Sequence, residues 1–532
     1  MPFLDNLQSL RVLACVMAAV GACCAIAHAD TGIVSWNAFS KQFIDAPTFN
    51  LLPLPGAVEY RAVVKYGDKT LSVASETPRI SLSRIWSRVP RKAFSLTVEW
   101  VDKDGKIIQS ETSARLRAPD WRGMREPAEN WRAAADRNIE YLLDVAENGK
   151  ATYREPGVPV FIWSCASPDV NSPNGAGVSY PCITINNYIW ALTSHAASGG
   201  KHAKEAIKLA RKCADWALKN RLPEDCALPL FPYSTIVNGQ FGGAVEGTSV
   251  NLMRACWFAV GMVDIYAATK DGRYLDYAKH IANVAVKFQN PDGSFPYRLD
   301  PKTGKVIEQY ACNAIEFTTL VDALEAHGYD RALAKASRRA VDWMVAYVCT
   351  THHWQAAYED VGAVQPYSNL SQMQALPLIR YLCKHRDEDP GYVKLAVSLN
   401  RWVEDQFVVF GPESDAYSVH IKGPQVFEQF ICWAPMEGHT GNWIESLIAL
   451  HKATGDKTYL EKAMAAGNAI CAQQFDNGAF STWSVRHLEN GKTVPEKDPG
   501  GNWYNSNAFA DRGLYVLDSY VRSEPVHRLL GK

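Results

Sequence analysis

The sequence lacks the features that mark several large classes of protein. It has 55 basic and 56 acidic residues and a formal net charge of -1, so no basic surface is expected to attract nucleic acid or an anionic membrane. It has no C-x-x-C motif and no cluster of cysteine and histidine, which argues against a structural zinc site. Beyond the N-terminus, no apolar run is long enough to predict a membrane span. We therefore expect no metal, no cofactor, no nucleic-acid partner and no membrane span.

The N-terminus has the pattern of a targeting segment. Arg11 precedes an apolar run over residues 12–27, and Ala27-His28-Ala29 places small residues where a signal peptidase cleaves. We expect residues 1–29 to be a signal peptide and the protein to be exported, either to the periplasm or to the extracellular medium. The alternative is a lipoprotein that is anchored through Cys23.

The cysteines are spread singly along the chain. Three of the thirteen lie in the leader, and the other ten lie between Cys165 and Cys471, mostly within helical patterns. Such residues are typical of small buried apolar side chains. Because export permits disulfides, Cys165 and Cys182, which occur in one loop region, are the pair to test.

Residues 30–118 have the pattern of a small all-β domain. Residues 94–100 (Phe-Ser-Leu-Thr-Val-Glu-Trp) alternate apolar and polar side chains, and Asp104-Gly105 then predicts a hairpin turn. The size and spacing favour a fibronectin- or immunoglobulin-like β-sandwich. A polar linker over residues 119–126 separates it from the rest of the chain.

From residue 127 onward the apolar period becomes helical. Six stretches predict amphipathic outer helices: 129–147, 202–219, 274–289, 330–349, 391–407 and 458–474. Six less polar stretches alternate with them and predict inner helices: 183–197, 246–268, 310–327, 366–385, 436–453 and 503–522. The chain therefore predicts twelve helices arranged as six hairpins.

An internal repeat supports the hairpins. Tyr274 and Gly293 recur as Tyr459 and Gly478, each pair 185 residues apart, within similar helix–turn sequences. An aspartate begins each helix, the glycine allows a turn with positive φ, and a phenylalanine follows it.

These hairpins, closed by D-G-S-F type turns, resemble the (α/α)6 toroid of six-hairpin carbohydrate-active enzymes over residues 127–525. The resemblance implies a glycosidase, a polysaccharide lyase or a sugar epimerase, because one fold hosts all three activities. Terpene cyclases share the ring but need a D-x-D-D motif, which this sequence lacks. A sandwich placed before the toroid is similar to several glycoside hydrolases, whereas toroidal lyases more often carry it after the ring.

In such a ring the inner helices run in one direction, so the connectors that lead into them gather at one end. Those connectors are long in this sequence, and long polar loops in a compact fold are usually functional. The predicted site is lined by residues 160–187, 228–249, 292–313, 350–371, 408–441 and 479–510.

Glycoside hydrolysis needs two carboxyl groups, and few acids occur in these connectors. Glu359 and Asp360 are adjacent, so like-charge repulsion could raise one pKa. Glu437 begins the fifth inner helix, and Glu428 and Glu246 have comparable positions. The ordinary alternative for each is a helix cap or a favourable interaction with the helix dipole.

Histidine, tyrosine and tryptophan are also frequent in these connectors. His353 and Tyr358 could supply the base and acid of a lyase, although a structural role is the ordinary alternative. The remaining candidates for substrate binding are Trp163, Glu246, Trp354, His420, His439, Arg486 and Trp503. Flat aromatic faces suit sugar rings, but a core role is the ordinary alternative for each tryptophan.

Three classes of function remain open. The first is an exported glycoside hydrolase that cleaves a poly- or oligosaccharide with Asp360 or Glu359 and Glu437. The second is a polysaccharide lyase that acts on a uronic-acid-containing glycan through His353 and Tyr358. The third is a glycan-binding toroid without catalysis; a sugar epimerase is a further alternative.

Overall fold

The computed structural model describes residues 42–118, 131–149, 155–163, 178–237, 239–241, 249–310, 312–358, 361, 367–409, 413–414, 419–420, 423–430, 435–480, 482 and 504–523. The predicted signal peptide, Cys23, Cys165 and the linker lie outside the described residues.

The N-terminal part is a small β-sandwich. A five-stranded sheet has the order β1-β7-β6-β3-β4, and β2 pairs with β5 in a second sheet. The β1–β7 pair is parallel and the other pairs are antiparallel. The strands are β1 Gln42–Phe43, β2 Thr48–Asn50, β3 Glu59–Tyr66, β4 Lys69–Ser75, β5 Arg79–Ser81, β6 Ala93–Val101 and β7 Ile107–Arg117.

Alternation along the strands produces the core of the sandwich. In β6, Phe94, Leu96, Val98 and Trp100 are buried, and the residues between them are half-buried. They pack with Phe49 of the second sheet and its neighbours in one hydrophobic cluster. The period of two that predicted this strand is therefore also the period that places one of its faces in the core.

In the described residues that follow, twelve helices of ten or more residues alternate between an outer and an inner layer. The outer helices are α1 Trp131–Asn148, α3 Ala203–Lys219, α5 Gly272–Ala285, α7 Arg331–Trp343, α9 Tyr392–Phe407 and α11 Lys457–Ala472. The inner helices are α2 Pro181–Ala197, α4 Leu252–Thr269, α6 Ile315–Leu324, α8 Ala375–Lys384, α10 Glu437–Thr454 and α12 Tyr504–Ser523.

The inner helices close into a ring. Each packs against the next in the order α2, α4, α6, α8, α10 and α12, and α12 packs against α2. Each inner helix also packs against the outer helix that follows it, and α12 packs against α1. The predicted (α/α)6 toroid, preceded by a β-sandwich, is confirmed as the fold class.

The repeat detected in the sequence makes the same contacts twice. The Gln289 side-chain amide donates to the carbonyls of Gly293 and Ala336, and its oxygen accepts from Arg339. Gln474 makes the equivalent contacts with Gly478, Ala134 and Arg137. Each glutamine therefore ties its turn to an adjacent outer helix, and the second set joins the end of the chain to α1.

Some helix boundaries differ from the prediction. Helix α4 was expected from residue 246, but it begins at Leu252 because the Asn251 side chain accepts from the Arg254 backbone N–H as an N-cap. Helix α8 was expected from residue 366, but it begins at Ala375. The preceding residues instead form β-bridges, such as Ser371 with Gln429, which sequence periodicity does not reveal.

The sandwich contacts the outer layer of the ring through a charged cluster. The Asp45 carboxylate lies 3.0 Å from Arg401 and 3.1 Å from Lys462, and the Thr48 backbone N–H donates to Asp405 at 3.0 Å. Burial raises the pKa of Asp405 to about 8, although the charge of Arg401 opposes the rise. The sandwich thus braces α9 and α11.

Helix α4 is long and apolar enough to cross a membrane by length and composition. It is the one such helix in the part of the chain that the structure describes, and 72% of its apolar window is buried inside the protein. Its apolar character follows from its place in the inner ring, between α2 and α6.

Candidate active site

The long connectors meet at one end of the ring, which we call the mouth and define as the end at which the inner helices begin. Strands from connectors that precede neighbouring inner helices pair with one another. The pairs are Val178–Ser179 with Ile236–Val237, Val250–Asn251 with Arg298–Leu299, and Ser371 with Gln429. The described parts of these connectors are therefore paired with one another rather than forming separate loops.

A buried ion pair lies at the mouth, in the first turns of two inner helices. Arg254 of α4 is 0% exposed and donates to the Glu316 carboxylate of α6. Arg254 also donates to the carbonyl oxygen of Ala357, and its guanidinium lies 5.8 Å from the centre of the Tyr358 ring. One arginine thus links two helices and the connector that leads to α8.

Burial shifts the pKa of two titratable side chains near Arg254. Burial raises the pKa of the Glu316 carboxyl, and the charge of Arg254 opposes the rise. Burial, together with the charge of Arg254, lowers the pKa of His439, at the start of α10, to about 3. His439 is therefore a neutral imidazole at pH 7, and its helix α10 lies opposite α4 in the order of the ring.

The connector segment that contains Glu359 and Asp360 is anchored on both sides. The two acids lie outside the described residues, but their neighbours Tyr358 and Val361 are described. The Nη2 group of Arg298 donates to the Tyr358 carbonyl at 3.1 Å and to the Val361 carbonyl at 2.7 Å. A second nitrogen of Arg298 donates to Glu308 at 2.8 Å, which holds the guanidinium in place.

A chain of hydrogen bonds joins this segment to the next connector. The hydroxyl groups of Tyr358 and Ser371 lie 2.9 Å apart, and the Ser371 hydroxyl bonds to the Glu428 carbonyl at 2.9 Å. Glu428 is half-buried. The connectors before α8 and α10 thus bring Tyr358 and Glu428 to the same part of the mouth.

Glu437 has a different environment from Glu428. It is 0% exposed, at the first residue of α10, and its charge acts on the Cys471 thiol of outer helix α11. Its position suits the helix dipole, which was the ordinary alternative for this residue.

Three aromatic candidates pack as core residues in this structure. His353 stacks on the Tyr310 ring at a centroid distance of 4.4 Å, and burial lowers its pKa. Trp354 is 0% exposed, and Trp163, which is 4% exposed, packs edge-on against Trp216. Neither tryptophan offers a face on which a sugar ring can stack, so the core role is the one that the structure supports.

Several other candidates fall outside what the structure describes. For His420 only the backbone is described, as part of a strand that pairs with Glu413–Ser414. The candidates that lie outside the described residues are Glu246, Glu359, Asp360, Arg486 and Trp503.

Sequence reasoning missed Arg254, Glu316 and Arg298. Their positions in the sequence could have identified two of them, because Arg254 and Glu316 lie in the first turns of inner helices, as Glu437 does. Their pairing was not visible because 62 residues separate them in the chain. Within the described residues, no group of three or more histidine, cysteine, aspartate or glutamate side chains is placed to hold a metal ion.

Comparison of the whole structure with solved structures shows the same architecture. A family 76 α-mannanase from Bacteroides thetaiotaomicron is 15% identical, covers 76% of this chain and 99% of its own, and has a TM-score of 0.50. This is the six-hairpin toroid fold. A sugar epimerase from a ruminal bacterium is 12% identical over 73% of this chain and 98% of its own, with a TM-score of 0.51. A cellobiose 2-epimerase from Spirochaeta thermophila is 11% identical over 75% and 98%, also with a TM-score of 0.51.

Comparison of the sequence with known families and curated proteins found no match. No protein-family model matches the chain, and no curated protein matches it. Because the solved structures are at most 15% identical in sequence, their similarity shows the fold of this chain and not its reaction. The reaction depends on the residues of this chain.

Proposed function

We propose that the protein is an enzyme that cleaves glycosidic bonds at the mouth of the toroid. The observation that carries this proposal is that Arg254 donates to the Ala357 carbonyl while Arg298 donates to the carbonyls of Tyr358 and Val361. These contacts hold the described residues on either side of Glu359 and Asp360 in the sequence, and catalysis requires that reacting groups be held in place. The half-buried Glu428 lies on the connector that Tyr358 contacts through Ser371.

The proposed chemistry uses one acid from each connector. One carboxyl group, from Glu359 or Asp360, protonates the oxygen of the leaving sugar. The other carboxylate, from Glu428, activates a water molecule or attacks the anomeric carbon. Arg254 and Arg298 act as positioning residues, because both are buried and donate to backbone carbonyls rather than to a substrate. Glu316 also acts as a positioning residue, because it accepts a hydrogen bond from Arg254.

The pairing of the described charges at the mouth favours one class of glycan substrate. Two described cations of the mouth, Arg254 and Arg298, are already paired with Glu316 and Glu308, so a neutral glycan suits the site better than a polyuronate. The structural neighbours act on mannan and cellobiose according to their names, and α-mannan is therefore the first polysaccharide to test.

A panel of plant, algal, yeast and animal polysaccharides tests the proposal. Products are followed both as reducing ends and as ultraviolet absorption, because a lyase leaves a C4=C5 double bond and a hydrolase does not. We expect reducing ends without ultraviolet absorption. Absorbing products would instead support elimination through Tyr358, the lyase candidate that remains at the mouth.

Variants then test the residues. Glu428→Gln and the double variant Glu359→Gln/Asp360→Asn should each lower kcat/KM by about 100-fold or more. Glu205→Gln, an exposed acid on outer helix α3, is the matched control and should retain full activity. Full activity in both site variants would contradict the assignment of these acids.

Export is part of the same proposal, because a secreted enzyme meets polysaccharides directly. We expect the mature protein, recovered from the periplasm or medium, to begin at Asp30 by N-terminal sequencing. A lipid-modified N-terminus at Cys23 would show the lipoprotein alternative, and retention of residues 1–29 in the cytoplasm would contradict export.

A further inference from the structure

A second polar cluster lies on the ring axis, deeper than the mouth. Five of the six inner helices contribute one side chain each: Trp190, Asp264, Arg380, Glu445 and Arg512. We call this cluster the axial well. Arg512 donates to Glu445 at 2.8 Å, and its guanidinium lies 3.9 Å from the centre of the Trp190 ring. None of these residues belongs to the proposed active site.

A layer of aromatic rings separates the axial well from the mouth. Trp257 of α4 packs against Trp190 at 4.8 Å and against Phe509 of α12 at 6.3 Å between ring centroids. Trp257 is 1% exposed and Phe509 is 9% exposed. Because a helix rises about 1.5 Å per residue, Asp264 lies about 15 Å beyond Arg254 along α4. The two polar layers are therefore distinct.

The axial well opens towards the far end of the ring. Along α4, exposure increases from the buried Trp257 and Val260 to the half-buried Asp264 and then to the exposed Ala267. Along α12, it increases from the buried Phe509 through the half-buried Arg512 to the exposed Ser519. Asp264, Arg380 and Arg512 are each half-buried rather than fully buried.

Charge in the axial well is incompletely paired. Arg512 and Glu445 neutralise one another. Arg380 makes three hydrogen bonds, all from Nη1, to the Asn442 carbonyl, the Asn442 side chain and the Ser446 hydroxyl. Within the described chain, Arg380 has no carboxylate within 4.0 Å, and the groups to which it donates hydrogen bonds are all neutral.

Asp264 is the second charged side chain of the axial well that forms no ion pair with a described residue. It hydrogen-bonds to the Trp190 side chain, and burial raises its pKa to about 6 while the charge of Arg512 opposes the rise. Burial also lowers the pKa of Arg380 to about 10. Arg512 also contacts Trp190 and bonds to Glu445 of α10, and Arg380 bonds to Ser446, the next residue of α10. This chain of contacts joins Asp264 to Arg380.

We propose that the axial well binds a small oxyanion that also carries a hydrogen-bond donor. Arg380, with the part of the Arg512 guanidinium that Glu445 does not use, receives the anionic oxygens. Asp264 accepts the hydrogen bond from the hydroxyl group of the ligand. Inorganic phosphate and hydroxycarboxylates share this chemistry, whereas sulfate and plain dicarboxylates have the charge without the donor.

Isothermal titration calorimetry on the full-length protein tests the proposal with two matched pairs of ligands at constant ionic strength. The pairs are phosphate against sulfate, and malate against succinate. We expect saturable binding of phosphate or malate, and weaker binding of the partner that lacks a hydroxyl group. The pair that binds identifies whether an inorganic or an organic oxyanion is the natural ligand.

Three variants assign the binding to the axial well. Arg380→Gln should weaken affinity at least about tenfold, since a charge-assisted hydrogen bond contributes more than one power of ten. Asp264→Asn should remove the preference for phosphate over sulfate or for malate over succinate. Arg338→Gln, an exposed arginine on outer helix α7, is the control for general electrostatics and should bind as the wild type does.

Two results would overturn the proposal: no saturable binding to the wild-type protein, or equal binding by wild type and Arg380→Gln. If Arg380→Gln does not fold, Arg380→Lys keeps the charge but loses the planar guanidinium, and weaker binding is again expected. The titration contains no glycan, so its outcome is independent of the proposed glycosidase activity.

Discussion

Glu428 and Glu437 are close in sequence, but the structure gives them different surroundings. Glu428 is half-buried in a mouth connector, whereas Glu437 is completely buried at the start of α10. Sequence position alone had made both of them candidates. The difference in burial favours Glu428 as the catalytic acid, because a catalytic acid has to reach the substrate.

This difference predicts contrasting variants. Glu437→Gln should leave kcat/KM within about threefold and lower the free energy of unfolding by about 1 kcal/mol, because it removes a charge that favours the helix N-terminus. Urea unfolding and initial rates on the same preparation measure both quantities. A loss of activity as large as that of Glu428→Gln, with unchanged stability, would return Glu437 to the catalytic role first expected for it.

The Arg254–Glu316 pair gives a second prediction for single residues. Arg254→Met leaves a buried carboxylate without its cation and should lower the free energy of unfolding by about 3–5 kcal/mol. The double variant Arg254→Met/Glu316→Leu should recover much of this loss, because no buried charge then remains. Equal stability of the single and double variants in urea would show that the ion pair is not the cause.

At the scale of elements, the repeated turns hold neighbouring hairpins together. Gly478 has a φ of +91°, and a Cβ atom there would overlap the carbonyl of Arg137 on α1. Gly455 has a φ of +71°, but nothing lies within 4 Å of its Cβ position. The two glycines therefore share a backbone requirement and differ in packing.

Alanine variants separate these two effects. Gly455→Ala should cost about 1–2 kcal/mol, the usual penalty for a left-handed residue with a Cβ atom. Gly478→Ala should cost clearly more, because it also displaces Arg137 and the contacts of Gln474 that join the ends of the ring. Thermal unfolding compares the two variants, and equal losses would mean that the ring does not depend on this turn.

For the whole molecule, buried histidines make the folded state more stable at neutral pH than at acidic pH. Burial lowers the pKa of His352 to about 4 and of His439 to about 3, and it also lowers the pKa of His353. In the unfolded chain these groups take up a proton near pH 6.5. Their contribution to stability is therefore complete above about pH 6.5 and is lost as the pH falls towards the folded-state values.

His353→Phe isolates one of these groups while keeping an aromatic ring against Tyr310. Between about pH 6.5 and 4.5, the unfolding free energy of the variant should fall less steeply than that of the wild type. The maximum difference in slope is about 1.4 kcal/mol per pH unit for one proton. Parallel urea titrations at several pH values measure it, and identical slopes would contradict the neutral buried state of His353.

The sequence by itself determined the order and type of the ring helices, because helical period, aspartate caps and glycine turns are local properties. Asp271 and Asp456 accept from backbone N–H groups two residues ahead, as their positions predicted. It also determined that long connectors precede inner helices.

Only the tertiary structure decided which side chains meet. Arg254, Glu316 and Ala357 come from three separate segments, and their contact depends on how the ring closes rather than on any local pattern. The same is true of the axial well, which five helices build together. An aromatic residue such as Trp354 has the same local pattern in a core as on a sugar-binding surface, so only packing could place it inside.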